Sequence, residues 1–193
     1  TLLRILAGLL IPNTGEITVN AGEAARTVGY LPQTPSFRKG FTVAETLRFY
    51  ARLLDTDVSE DYIDSALETV GLLDARDRRV SGLSGGMTRL LGIAQASVGE
   101  PPIMMLDEPT SGLDPEMTGR IFEVLRNLAD GGAAVLLTTH DLEEGGRNAD
   151  KIVLINERRV AESGAPQEVV ERRGAENLSE VFDAVVRDGG GRG

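Results

Sequence analysis

At 193 residues the chain is long enough to bury a substantial core, and 41% hydrophobic against 26% charged residues is the balance of an ordinary globular domain. The absence of Cys excludes disulfides and thiolate metal sites and fits a reducing compartment, while a net charge of −10 argues against broad binding to a nucleic-acid backbone. No apolar run reaches the ~20 residues of a membrane span; the longest, Leu2 to Ile11, is broken by Arg4 and lacks the flanks of a signal peptide.

Leu2, Leu3, Ile5, Leu6, Leu9 and Leu10 predict a helix over 2–10, apolar nearly all round and so buried against a sheet, with Pro12-Asn13-Thr14-Gly15 as its stop. Glu16 to Asn20 alternates Ile17 and Val19 with polar neighbours and reads as a strand. Thr27 to Leu31 reads as a second, ending at Pro32-Gln33, so that the two form a hairpin feeding a loop. From Phe37 to Gly99 the period becomes helical. Thr42-Val43-Ala44-Glu45 has the form of a capping box, and Val43, Leu47, Tyr50 and Leu54 follow at helical spacing. Ser59 can cap a second helix, whose stripe Ile63, Ala66, Leu67 and Val70 ends at Gly71. Ser84-Gly85-Gly86 opens a third, with Met87, Leu90, Leu91 and Ala94 on one face. Arg76, Arg78 and Arg79 crowd together nearby and read best as a solvated face.

The order then becomes strand, helix, strand, helix, strand over Ile103–Leu106, Pro115–Ala129, Ala134–Thr138, Leu142–Asn148 and Lys151–Ile155, which predicts parallel strands with right-handed crossovers. Ligands of such sheets bind beyond the carboxyl ends of the strands, where Asp107, Glu108 and His140 fall. Asn156-Glu157-Arg158-Arg159 and Val160 to Gly164 predict a closing hairpin. Pro166 starts a short helix, and Leu178, Val181, Phe182 and Val185 make a last amphipathic one before a flexible Gly189-Gly190-Gly191 tail.

Three segments carry chemistry. The run Ile103-Met104-Met105-Leu106 cannot solvate the two carboxylates that follow it, so Asp107 and Glu108 stand at a strand end, where one acid can hold Mg²⁺ while the next orients a water. Leu83-Ser84-Gly85-Gly86 offers bare backbone N–H groups and a positive dipole end to a phosphate, although a plain helix start has the same composition. Ser111-Gly112-Leu113-Asp114 is a turn after Pro109. His140, the one His of the chain, follows the apolar strand and Thr138-Thr139, a place for a structural or a catalytic imidazole alike.

In this order and spacing, with Tyr30-Leu31-Pro32-Gln33 upstream and Thr138-Thr139-His140-Asp141 downstream, the chain resembles the ATP-binding-cassette (ABC) ATPases over nearly its whole length. The resemblance implies an α/β P-loop NTPase (RecA-like) parallel-sheet core, over 1–36 and 100–165, with an inserted helical signature subdomain over 37–99 and a helical tail over 166–193. It implies that Thr1 follows directly on the family's phosphate-cradling loop, Gly-x-x-x-x-Gly-Lys-Ser/Thr. The chain would then be a fragment without that Lys, without the Mg²⁺-binding hydroxyl and without the residue that stacks on adenine.

By the same resemblance Asp107 is the Mg²⁺-associated acid, Glu108 the general base, His140 the switch residue at the γ-phosphate, and Gln33 the loop glutamine that senses Mg²⁺ and water. Ser84, Gly85 and Gly86 bind the γ-phosphate held by a second copy, and Asp114 crosses that dimer interface. ATP and Mg²⁺ are the implied cofactors. A transmembrane permease, docked in a groove bounded by Gln33 to Thr46, and a second ABC ATPase, identical or paired, are the implied partners, with no nucleic acid and with placement on the cytoplasmic face of the membrane. Met87, together with Thr42-Val43-Ala44-Glu45-Thr46-Leu47 and Leu178-Ser179-Glu180-Val181-Phe182, resembles the ATPases of two-component drug and polysaccharide exporters. Thr88-Arg89-Leu90 departs from the family's commoner polar-basic run. A soluble ABC ATPase of ribosomes or DNA is the competing function, disfavoured by one cassette, no heptad run and an acidic balance. A non-catalytic module is disfavoured by the presence of Asp107, Glu108 and His140.

Overall fold

The computed structural model describes residues 1–19, 28–54 and 58–189. It divides into two compact units, Thr1–Thr138 and Thr139–Gly193.

The first unit is built on three parallel strands in the order β1 (Val28–Leu31), β2 (Ile103–Asp107) and β3 (Ala134–Thr138). Pairing sets Leu31 against Leu106 and Asp107 against Thr138. Gln33 follows Leu31 by two residues and Glu108 follows Leu106 by two, so both polar groups leave their strands at the same end. β2 is the middle strand and buries Met104, Met105 and Leu106, which is why its sequence is a continuous apolar run rather than an alternating one.

A helical lobe stands between β1 and β2 in sequence. α2 (Val43–Leu53) has the expected capping box, with the Thr42 hydroxyl accepting from the Glu45 N–H at 3.1 Å and Glu45 accepting from the Thr42 N–H at 2.8 Å. Ser59 caps α3 (Glu60–Thr69), and Ser84 caps α4 (Gly85–Ser97) by accepting from the Met87 N–H at 3.2 Å. α4 is more deeply buried than its one apolar face predicts, because Gly86, Gly92 and Ala96 are small enough to let neighbours close in on its other sides. Leu47, Ile63, Leu67, Leu90, Leu91 and Ile93 of these helices share one core with Leu31, Leu106 and the buried face of α5 (Pro115–Asp130). Arg76 is consumed within the lobe, paired with Asp64 at 2.5 Å and with Glu60, which Arg48 also holds at 2.6 Å. Arg79 donates to the Gly40 carbonyl at 2.7 Å.

The second unit opens with α6 (Leu142–Asn148), capped by Asp141, and continues with an antiparallel hairpin of β4 (Ile152–Asn156) and β5 (Arg159–Gly164). Glu157 and Arg158 form its turn in left-handed conformations, φ 47° and 65°. α7 (Pro166–Arg173) and α8 (Leu178–Gly189) complete the unit, whose small core joins Leu154, Val169, Val181 and Val185.

Three expectations are corrected. α1 covers Leu2–Leu6 instead of 2–10, because Gly8 sits at φ 73° and no right-handed helix passes through that conformation; only Leu3 is buried, with Leu2 and Leu9 more than half exposed. Residues 16–19 form no strand, since none of the described residues supplies them a ladder; Asn20, Thr27 and the turn of the proposed hairpin lie outside the described residues. β4 pairs with β5 rather than with a parallel neighbour, its hairpin partner being the nearest ladder among the described residues. Gly189 closes α8, and Gly190 and Gly191 lie outside the described residues.

Candidate functional site

Asp107 is the last residue of β2, and Glu108 follows it in the left-handed region at φ 46°, a conformation that costs a non-glycine residue on the order of 1 kcal/mol or more. That twist turns the chain sharply into the turn over 108–113, where the Ser111 N–H reaches the Glu108 carbonyl at 3.3 Å and Leu113 closes on Thr110. Thr138, opposite Asp107 on β3, locks both acids: its hydroxyl donates to Asp107 Oδ1 at 2.7 Å and accepts from the Glu108 N–H at 3.0 Å. From the other flank the Tyr30 hydroxyl on β1 hydrogen-bonds the Asp107 carboxylate; burial, then the charge of Asp107, raise the pKa of that phenol, with Arg4 opposing.

The loop after β1 brings Gln33 to the same place, its side-chain amide donating to Glu108 Oε2 at 3.3 Å. Arg89 of α4 donates to the Gln33 main-chain carbonyl. Burial pulls the Arg89 guanidinium below its ordinary pKa, and attraction to Glu108 works against that pull. Sequence reasoning assigned no role to Thr138, Tyr30 or Arg89. Thr138 and Tyr30 read as strand formers, and the signal that finds them is register: Thr138 pairs with Asp107, while Tyr30 pairs with Met105, two residues back on the same strand face as Asp107.

Ser84 and Gly85 are exposed at the start of α4, and nothing lies within 4 Å of a Cβ built on Gly85. Gly86 is different, since a Cβ there would stand 2.6 Å from Met117 Cγ. Met117 belongs to α5, which Asp114 caps by accepting from the Met117 N–H at 2.9 Å, so the start of α4 is packed on the start of α5. The structure thus joins Gln33, Asp107 and Glu108 in one cluster and links Gly86 to the Asp114 turn. His140 lies in the second unit, exposed and next to the Asp141 cap of α6.

The donor set suits the implied cofactors. Two carboxylates and a carboxamide are hard oxygen donors. Mg²⁺ is commonly held by one or two carboxylates together with phosphates and waters, and Asp107 and Glu108 are carboxylates of that kind. The start of the 13-residue helix α4 is exposed at Ser84 and Gly85, while its Met87 N–H is taken by the Ser84 hydroxyl.

Beyond Gln33 lies a groove of about 310 Å³ walled by Phe37, Phe41, Phe49 and Tyr50. The rings meet edge to face at 5.5 to 6.3 Å, and the Arg38 guanidinium lies 4.5 Å from the Phe49 ring centre. No helix among the described residues is long and apolar enough to cross a membrane.

Comparison with known proteins finds relatives along nearly the whole chain. The chain is 37% identical to the Nod factor export ATP-binding protein I of Mesorhizobium japonicum over 94% of its own length and 56% of that protein's. It is 35% identical to the same-named protein of Rhizobium sp. (strain N33), covering 94% of this chain and 63% of the relative, and 34% identical to that of Burkholderia orbicola, covering 97% and 66%. It therefore spans between half and two thirds of the length of these relatives. Among solved structures, an ATP-binding subunit of an ABC transporter superposes with a TM-score of 0.79 at 27% identity, covering 95% of this chain and 81% of the other. An inward-facing ABC transporter of metal-chelate type superposes with a TM-score of 0.76 at 26% identity, covering 88% and 68%. The sequence profile of the ABC transporter family matches residues 1–111, more than half of the chain, and the chain belongs to that family.

Proposed function

We propose that this chain is the ATP-hydrolysing part of an exporter, and that the cluster of Gln33, Asp107 and Glu108 is its hydrolysis centre. The observation that carries the reading is the carboxylate pair at the end of β2, with Thr138 fixing both acids and Gln33 resting on the second. Bound Mg²⁺ supplies charge neutralisation at the phosphates. Asp107, already restrained by Thr138 and Tyr30, is the carboxylate that would hold it, with Gln33 beside it. Glu108, whose carboxylate accepts from the Gln33 amide, takes a proton from the attacking water.

Ser84, Gly85 and Gly86 present their N–H groups to the γ-phosphate on a second copy, Asp114 crosses to that copy, and His140 serves as the switch residue. The regions 37–99 and 166–193 act as signature subdomain and tail. The relatives named for Nod factor export support export as the direction of transport. The aromatic groove receives a helix of the membrane permease, which holds the chain at the cytoplasmic face.

The test is Glu108→Gln in the full-length protein. The amide keeps the shape and hydrogen-bonding capacity but cannot act as a base, so nucleotide binding is retained while kcat falls on the order of 10²–10⁴-fold. ATP-bound dimers accumulate, read by size-exclusion chromatography. Hydrolysis at the original rate would remove Glu108 from the mechanism.

A further inference from the structure

α4 touches the loop after β1 at two successive points on one face. Arg89, half-buried on the first turns of the helix, donates to the Gln33 carbonyl. One turn later Gly92 lets the loop come close, since a Cβ there would lie 2.4 Å from Leu31 Cδ1 and 3.4 Å from Pro35 Cβ. The loop is short of its own restraints: Pro32 and Pro35 have no N–H, and Gln33 and Thr34 are exposed. Yet Gln33 extends its side chain back to Glu108 at 3.3 Å. An exposed amide side chain holds one direction only if its main chain is fixed, because a free rotamer-rich side chain loses on the order of 1 kcal/mol or more of entropy when ordered. Arg89 is the group that fixes it. Its planar fork gives one arm to the carbonyl and leaves its charge facing Glu108.

We infer that Arg89 is a positioning residue of the hydrolysis centre, a strut from the signature helix that holds the Gln33 main chain so that its side chain meets Glu108. Arg89 acts through Gln33 and touches no reacting atom. The inference rests on the reading of Gln33 and Glu108 as hydrolysis residues, but its structural half stands without nucleotide.

Limited proteolysis of the nucleotide-free protein with a protease of broad specificity, its cuts read by mass spectrometry, tests that half. Arg89→Met should raise the rate of cleavage between Gln33 and Phe37 by about tenfold and leave α4 uncut as before. Arg89→Lys, which keeps the charge and one donor, should fall between the two. Steady-state kinetics on the full-length protein tests the rest. Arg89→Met should lower kcat about tenfold with less than about a twofold change in KM for ATP, and the loss should shrink below about twofold in a Gln33→Ala background, since two residues acting as one unit are not additive. Unchanged loop cleavage overturns the strut, as does an equal loss of kcat in both backgrounds. Should Arg89→Met fail to fold, Arg89→Lys and Arg89→Gln carry both measurements against the same criteria. A Gln33→Ala protein with native kcat would instead sink the reading of Gln33 as a hydrolysis residue, while proteolysis still decides the strut.

Discussion

Glu108 and Gly85 show how much a single backbone position decides. Glu108 stands at φ 46° in a turn whose hydrogen bonds hold it there, so the main chain fixes where its side chain departs, and the Gln33 amide meets its carboxylate. Gly85 looks like the opposite case, an exposed residue with open space where a side chain would stand. That openness separates two roles. If Gly85 only starts a helix, Gly85→Asp is nearly harmless, because a carboxylate in the first turn suits the helix dipole. If it faces a γ-phosphate in a partly desolvated dimer interface, the same carboxylate meets a polyanion at a cost of about 4 kcal/mol per charge pair at 4 Å and an effective dielectric of 20. Gly85→Asp is therefore expected to unfold within a few degrees of the native protein and to lose ATP turnover. Thermal unfolding and a phosphate-release assay check the two halves, and full turnover would leave only the helix-start role.

Elements were legible wherever a local signal and the tertiary environment agreed. The box at Thr42 and Glu45 and the caps at Ser59 and Ser84 form as their chemistry dictates, and Ala134–Thr138 and Leu142–Asn148 have the bounds the sequence predicts. Thr42→Ala removes the acceptor for the Glu45 N–H and should destabilise the protein by about 1 kcal/mol, measured as a shift in urea midpoint at constant m-value. Legibility failed where the outcome depends on a partner or on backbone conformation that residue type leaves open. The apolar count over 2–10 spoke for a long helix, but Gly8 took the left-handed conformation that glycine permits and the count could not register. The alternation of Ile17 and Val19 is a strand pattern, yet a strand exists only through its ladder. In the site, Asp107, Glu108 and Gln33 were readable as a motif, because their spacing to an apolar strand is a sequence property. Thr138, Tyr30 and Arg89 were not, because their roles come from register and from a helix face packed on a loop.

For the whole molecule, the division of labour proposed for the chain makes a prediction that no single-copy site can meet. In that proposal Glu108 and Gln33 would work on a nucleotide held by their own copy and Ser84, Gly85 and Gly86 on one held by the other, so a head-to-tail pair would contain two sites, each built from both chains. Glu108→Gln disables the base side of a site and Gly85→Asp the signature side. In a mixed dimer of the two variants, one site carries both lesions and the other carries neither. Two inactive proteins should consequently regain activity on mixing. With random pairing half of the dimers are mixed, and one intact site in each gives at most about a quarter of native turnover if the sites act independently. The recovery should rise with protein concentration, since it needs association, and vanish when both substitutions are placed in one chain and mixed with itself. Phosphate release measured across a titration of one variant into the other reads this directly. A flat line at the level of the separate variants would mean that Glu108 and Gly85 do not share a site across two copies.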